Sequence, residues 1–292
     1  MPTISKDKPS IKRANVPQKN TDAVVLSLPT KLNVPPQQLH ESVMLIYGRK
    51  GIGKTSIASL FPNSLTFMFE RGRRNLEIMQ VPTKNEPKLD WERFKSYVEL
   101  FITSDEFEIG IIDTIDRCYI CCFEEVCRRY KITSPNQSDN GPAVWDEIAA
   151  EFEALLCMIQ ESGKGLIMLS HEKARPLVTK AKGLKREDDE SSFKYERLEP
   201  SCKPAAFRFL QEICDYVFYY SYNDEYRTIT VRSPNDVAWT SCGLPGKFMD
   251  PDGNPLKTFK VGNTPELAYE ALQKAYNNEL RDYDYIPTIK RK

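Results

Sequence analysis

The sequence predicts a three-layer α/β domain built on a mostly parallel sheet, and three observations predict it. Four short, continuous apolar runs recur along the chain, and segments of helical period separate them. A glycine-rich stretch follows the first run directly, where a strand would hand over to a helix.

Taken in order, residues 1–40 hold Pro2, Pro9, Pro17, Pro29, Pro35 and Pro36 among Lys, Asn and Gln, with Ala23-Val24-Val25-Leu26 as their apolar run. That composition predicts a flexible N-terminal arm. From Ser42 the grammar changes. Val43-Met44-Leu45-Ile46-Tyr47 is a run of the kind buried on both faces of a parallel sheet, and Leu65-Thr66-Phe67-Met68-Phe69, Ile109-Gly110-Ile111-Ile112 and Leu166-Ile167-Met168-Leu169 repeat it. Between them, Asp90 is placed to cap a helix that aligns Phe94, Tyr97, Val98 and Phe101. Val144, Ile148, Phe152, Leu155, Leu156 and Ile159 form a second stripe that stops before Gly163.

Strands alternating with helices imply right-handed crossovers. Further on, Asp215 to Ser221 and Tyr226 to Arg232 read as a hairpin appended to the sheet, turning through Asn223-Asp224-Glu225. Thr264-Pro265 opens a last helix running to about Leu280. The expected organisation is an arm over 1–40, an α/β domain over 41–235 and a C-terminal extension with one helix over 236–292.

The 292 residues carry 41 basic and 41 acidic side chains, so any affinity for nucleic acid or membrane must be local. The opening residues lack the apolar core of a secretory signal, and nowhere do about 18 consecutive apolar residues occur. The chain reads as cytoplasmic, with no membrane segment. Its eight cysteines are scattered among apolar segments, the pattern of reduced, buried thiols. Cys118, Cys121, Cys122 and Cys127 are clustered, but they have no distant pair or histidine to complete a zinc site.

Gly48-Arg49-Lys50-Gly51-Ile52-Gly53-Lys54-Thr55 fits G-x4-G-K-[ST], and Ser56 continues it into a helix. Glycines let the backbone curl until successive N–H groups face an anion. The helix N-terminus adds its positive end, Lys54 reaches the β- and γ-phosphates, and the Thr55 hydroxyl ligates Mg²⁺. Such a loop holds a nucleoside triphosphate, with ATP and Mg²⁺ the expected ligands. The apolar run Ile109 to Ile112 ends in Asp113, a carboxylate able to position Mg²⁺ through water.

Hydrolysis also needs a group to activate water. Thr114 follows Asp113 where many ATPases have glutamate, so the candidate base is Glu70, expected at the end of a strand adjoining the phosphate loop. The alternative for Glu70 is a solvated charge at a strand terminus or a partner for Arg71, Arg73 or Arg74. His171 ends the fourth run in Ser170-His171-Glu172-Lys173, where a polar group senses the γ-phosphate; a solvated histidine is the alternative.

The phosphate loop, Ile111-Ile112-Asp113-Thr114, Glu70 and Ser170-His171-Glu172-Lys173 together resemble phage-encoded RecA-like ATPases, the nucleotide-binding or single-strand-annealing recombination proteins. The resemblance spans roughly residues 42 to 235. It implies a three-layer RecA-type P-loop NTPase core, here with a C-terminal hairpin and helix. It also implies action on DNA in phage recombination or replication, beside a single-strand-binding protein, in an oligomer with ATP at subunit interfaces.

Lys173, Arg175, Lys180, Lys182, Lys185 and Arg186 follow the sensor with no acidic residue among them after Lys173, and a mobile loop there would suit single-stranded DNA. Glu187-Asp188-Asp189-Glu190 then offsets much of that charge, so a self-compensating solvated loop is the other reading. The aromatic row from Tyr216 to Tyr226 reads either as a base-stacking platform or, more simply, as alternation across a half-buried sheet. Two other functions stay open: a nucleotide or small-molecule kinase, and a nucleotide-dependent switch such as a helicase loader.

Overall fold

The computed structural model describes residues 32, 34–70, 76–179, 193–223, 226–233 and 237–280. From Pro36 onward these form one compact unit. Of the arm expected at the N-terminus, residues 1–31 lie outside the described residues.

The chain enters through a 3-10 turn, Leu39–Glu41, and then β1, Val43–Gly48. The glycine-rich loop leads into α1, Lys54–Ala58, followed by β2, Ser64–Met68, and the short β3, Gln80–Val81. Next come α2, Trp91–Thr103, β4, Ile109–Asp113, α3, Ile115–Arg129, and α4, Gly141–Glu161. Then β5, Gly165–Thr179, β6, Phe193–Pro200, and α5, Pro204–Ile213, precede β7, Tyr216–Asn223, and β8, Tyr226–Thr230. The described chain closes with β9, Ser241–Cys242, β10, Thr258–Val261, and α6, Pro265–Tyr276.

The main sheet runs β10-β8-β7-β1-β5-β4-β2-β3. All pairings from β7 across to β3 are parallel, and β8 and β10 add antiparallel strands at one edge. This is a doubly covered α/β sheet with the strand carrying the phosphate loop in its interior. Alternation on β1 shows why both faces must be covered. Val43, Leu45 and Tyr47 pack with α2, α3, α4 and α5, whereas Met44 and Ile46 pack with α1 and α6. Phe152, from the predicted stripe of α4, meets Tyr119 edge-on at 5.1 Å and lies 6.5 Å from Trp91 and from Phe209, so one ring joins four helices. The predicted caps form as well: Asp90 accepts from Arg93 N at 2.9 Å, and Thr264 accepts from Leu267 N at 3.3 Å.

Three expectations are corrected. The fourth apolar run does not give way to a loop after His171. β5 continues to Thr179 and pairs antiparallel with β6, Lys173 opposite Glu199 and Leu177 opposite Tyr195, as a two-stranded ribbon. Ala174, Arg175 and Pro176 are exposed in succession, so this stretch of β5 leaves no apolar alternation in the sequence. The hairpin of β7 and β8 is not appended at the side, because β7 runs parallel to β1 in the sheet, Tyr47 opposite Tyr219. Its Tyr216, Phe218 and Tyr220 are fully buried among α1 and α6, which excludes them as a stacking platform for bases. And β2 does not adjoin β1: β5 and β4 lie between them.

Candidate functional site

The parallel register brings the carboxyl ends of the central strands to one edge. Gly48 of β1 pairs with His171 of β5, Asp113 of β4 pairs with Leu169, and Phe69 N and Glu70 N both donate to Asp113 O at the end of β2. Parallel α/β sheets bind ligands at this edge, because the loops open there.

The phosphate loop is shaped by its glycines. Gly51 and Gly53 take left-handed φ values of 81° and 108°, a conformation costly for any residue with a Cβ. Gly48 is required for a different reason: a Cβ there would lie 2.0 Å from the main-chain oxygen of Tyr220 on β7. Ile52 is buried and anchors the loop in the core beneath it. Arg49 and Lys50 point to solvent, and Arg49 Nε lies 3.7 Å from Glu172 Oε1.

Lys54 is buried, and its Nζ donates to Gly48 O at 2.8 Å and Arg49 O at 3.0 Å, which folds the ammonium over the loop. Thr55 Oγ1 donates to Asp113 Oδ2 at 2.6 Å, and both residues are buried. Ser56 stands in the first turn of α1, half-buried.

Beside this pair stands a second one. His171 Nε2 lies 2.8 Å from Glu70 Oε1, and since an ionised carboxylate only accepts, the ring donates. Thr114 Oγ1 donates to the same Oε1 at 3.3 Å. Burial works against ionisation of Glu70, but the His171 contact, the Thr114 hydroxyl and the Lys50 charge outweigh it and hold the carboxyl below its ordinary range. Glu70 and His171 are each about a quarter exposed, open to a ligand yet partly desolvated. The Nδ1 of His171 is buried and has no partner among the described residues.

Lys54, Thr55, Asp113, Glu70 and His171 are thus gathered at one edge. The residues assigned to DNA are placed otherwise. Lys173 Nζ donates to Cys202 O at 2.9 Å, and Arg175 Nη1 lies 3.6 Å from the buried Glu199, which also takes Arg197 Nη2 at 2.6 Å. Lys180, Lys182, Lys185 and Arg186 lie outside the described residues, as do Arg71, Arg73 and Arg74. Sequence reasoning missed Asp116, whose carboxylate accepts from Ser170 Oγ at 2.9 Å and from His171 N at 3.1 Å. The signal was available: an acid one helical turn beyond Asp113, with no cation beside it except Arg117.

The residues fit a triphosphate with Mg²⁺. Gly53 caps α1 without any side-chain hydrogen bond, so the positive end of the helix is left to an external anion, and the buried hydroxyl–carboxylate pair is a hard-oxygen donor set. Lys54, with the loop amides, would hold the phosphates. Thr55 and Asp113 would hold the metal, directly and through water.

Fold and site together define a three-layer α/β protein of the P-loop NTPase class. The chain belongs to the AAA domain family, whose model matches residues 40–240. That family binds ATP with Mg²⁺. Comparison with curated proteins found no match. Among solved structures, the KaiC-like protein from the hyperthermophilic archaeon Pyrococcus horikoshii OT3 is similar at 13% identity and a TM-score of 0.42, over 77% of this chain and 88% of that one.

Proposed function

We propose that this chain hydrolyses ATP and couples the γ-phosphate to single-stranded DNA, in phage recombination or replication. One observation carries the reading: β5 runs unbroken from the sheet, through His171 opposite the phosphate loop, into the ribbon it forms with β6. A change felt at His171 is passed along one strand to the surface where the basic residues from Lys173 to Arg186 begin.

In hydrolysis, Glu70 takes the proton of the attacking water. Its Oε1 is engaged by His171 and Thr114, while Oε2 accepts no hydrogen bond among the described residues and faces the task unencumbered. Lys54 stabilises charge developing on the transferred phosphoryl group. His171, held on Glu70 through Nε2 and paired with Gly48 of the phosphate loop, stands as the γ-phosphate sensor. Mg²⁺, held by Thr55 and Asp113, would supply neutralisation of phosphate charge.

The DNA reading draws on the resemblance stated above and on Arg175, which is more than half exposed although it lies near Glu199. The same resemblance supports a homo-oligomer with nucleotide between subunits, a single-strand-binding protein as partner and a place in the host cytoplasm. Among the described residues no helix is long and apolar enough to cross a membrane. The test is ATP turnover with and without single-stranded DNA over a salt series. Stimulation that fades as salt rises supports the reading. Indifference to DNA favours a kinase or an interaction switch.

A further inference from the structure

The segment Asp113-Thr114-Ile115-Asp116 touches the metal side, the base and the sensor strand in turn. Asp113 accepts from Thr55, Thr114 donates to Glu70, and Asp116 accepts from Ser170 and His171 of β5. We infer that Asp116 is a positioning residue for the γ-phosphate sensor, holding His171 on Glu70 and toward the phosphate loop. The inference rests on the sensor role given to His171 above.

The geometry explains why the sheet needs such a residue. The ladder between β4 and β5 ends at Asp113 opposite Leu169, because β4 turns there into α3. Ser170 and His171 therefore lose their strand neighbour on that side one step before the sensor. Asp116 stands in the first turn of α3 and takes over: Oδ1 accepts from Ser170 Oγ at 2.9 Å and Oδ2 from His171 N at 3.1 Å. On its other side His171 pairs with Gly48, the first residue of the phosphate loop. The sensor backbone is thus clamped between the loop and a carboxylate covalently tied to Asp113. The clamp extends one residue layer further, since Ser201 N donates to Ser170 Oγ at 3.2 Å.

A sensor whose backbone is fixed distinguishes triphosphate from diphosphate by geometry; one that is loose does not. The test measures the affinities of full-length protein for ATPγS and for ADP, each with Mg²⁺, and reads their ratio. The wild type prefers ATPγS, and His171→Ala reduces that preference by about tenfold, the worth of one charge-assisted hydrogen bond. Asp116→Ala is expected to match that reduction while leaving ADP affinity as it was. Asp116→Asn restores the preference, because its amide oxygen accepts from His171 N and its amide nitrogen donates to Ser170 Oγ. If Asp116→Ala does not fold, Asp116→Ser, too short to span both partners, carries the same comparison.

Wild-type preference in the Ala and Ser variants overturns the inference. So does a parallel loss of both nucleotides, which marks Asp116 as a support of the fold alone. A wild type without preference for ATPγS removes the sensor and overturns it too. Because the ratio needs binding and not turnover, a wild type that binds selectively but never hydrolyses ATP refutes the catalytic reading while this inference stands.

Discussion

His171 Nε2 donates to Glu70 Oε1 across 2.8 Å, joining β5 to the end of β2 over the β4 strand that separates them. The two residues lie 101 positions apart in the chain. Their contact places the proposed γ-phosphate sensor in direct touch with the proposed base.

That contact makes the activity depend on pH in a defined direction. The Glu70 carboxyl is held below its ordinary range, so its base form persists as pH falls. With the folded value depressed, the stability drawn from the contact is present above the unfolded carboxyl pKa and is lost as pH drops through the lower folded one. The acid limb of kcat/KM should therefore lie below the usual carboxylate range, and His171→Ala should move it upward, since burial then acts without its main opponent. Limbs that coincide in the two pH profiles would refute the assignment.

Lys54→Ala should weaken ATP binding by about 10- to 100-fold, the loss expected for charge-assisted bonds to a phosphate. Equilibrium titration with a fluorescent ATP analogue checks it. Affinity equal to wild type would mean that the loop does not grip phosphate through this ammonium.

Asp113→Ala should erase the gain in ATP affinity that Mg²⁺ gives. Titrations with Mg²⁺ and with a chelator differ in the wild type and converge in the variant, because Thr55 alone holds the metal poorly without its 2.6 Å partner. A Mg²⁺ increment that survives would move the metal elsewhere.

Gly165→Ala tests the fold away from the site. A Cβ at Gly165 would lie 1.8 Å from the main-chain oxygen of His40, so β5 or the turn at Leu39–Glu41 must shift. Overpacking of this kind costs about 1–3 kcal/mol, and thermal melting should show a Tm lower by several degrees. An unchanged Tm would contradict the packing of that turn.

What the sequence made legible was local. The four apolar runs, the phosphate loop, the caps at Asp90 and Thr264 and the stripe from Val144 to Ile159 each depend on neighbours within a few turns, and each stands where its pattern put it. Glu70 and Asp113 were legible as strand ends, whereas His171, read as one, lies within β5. Their partners were not, because strand order is set by crossovers and not by chain order. The ribbon of β5 and β6 was hidden because Ala174, Arg175 and Pro176 are exposed in succession, and β7 read as an appendage because a parallel pairing with β1 leaves no local mark. Asp116 was passed over because a first-turn acid usually serves its own helix.

The most direct test of the account is ATP turnover by Glu70→Gln beside its ATP affinity. The account predicts binding equal to wild type and phosphate release slowed by about 100- to 10,000-fold, the range for loss of a general base. Turnover at the wild-type rate in that variant would contradict it.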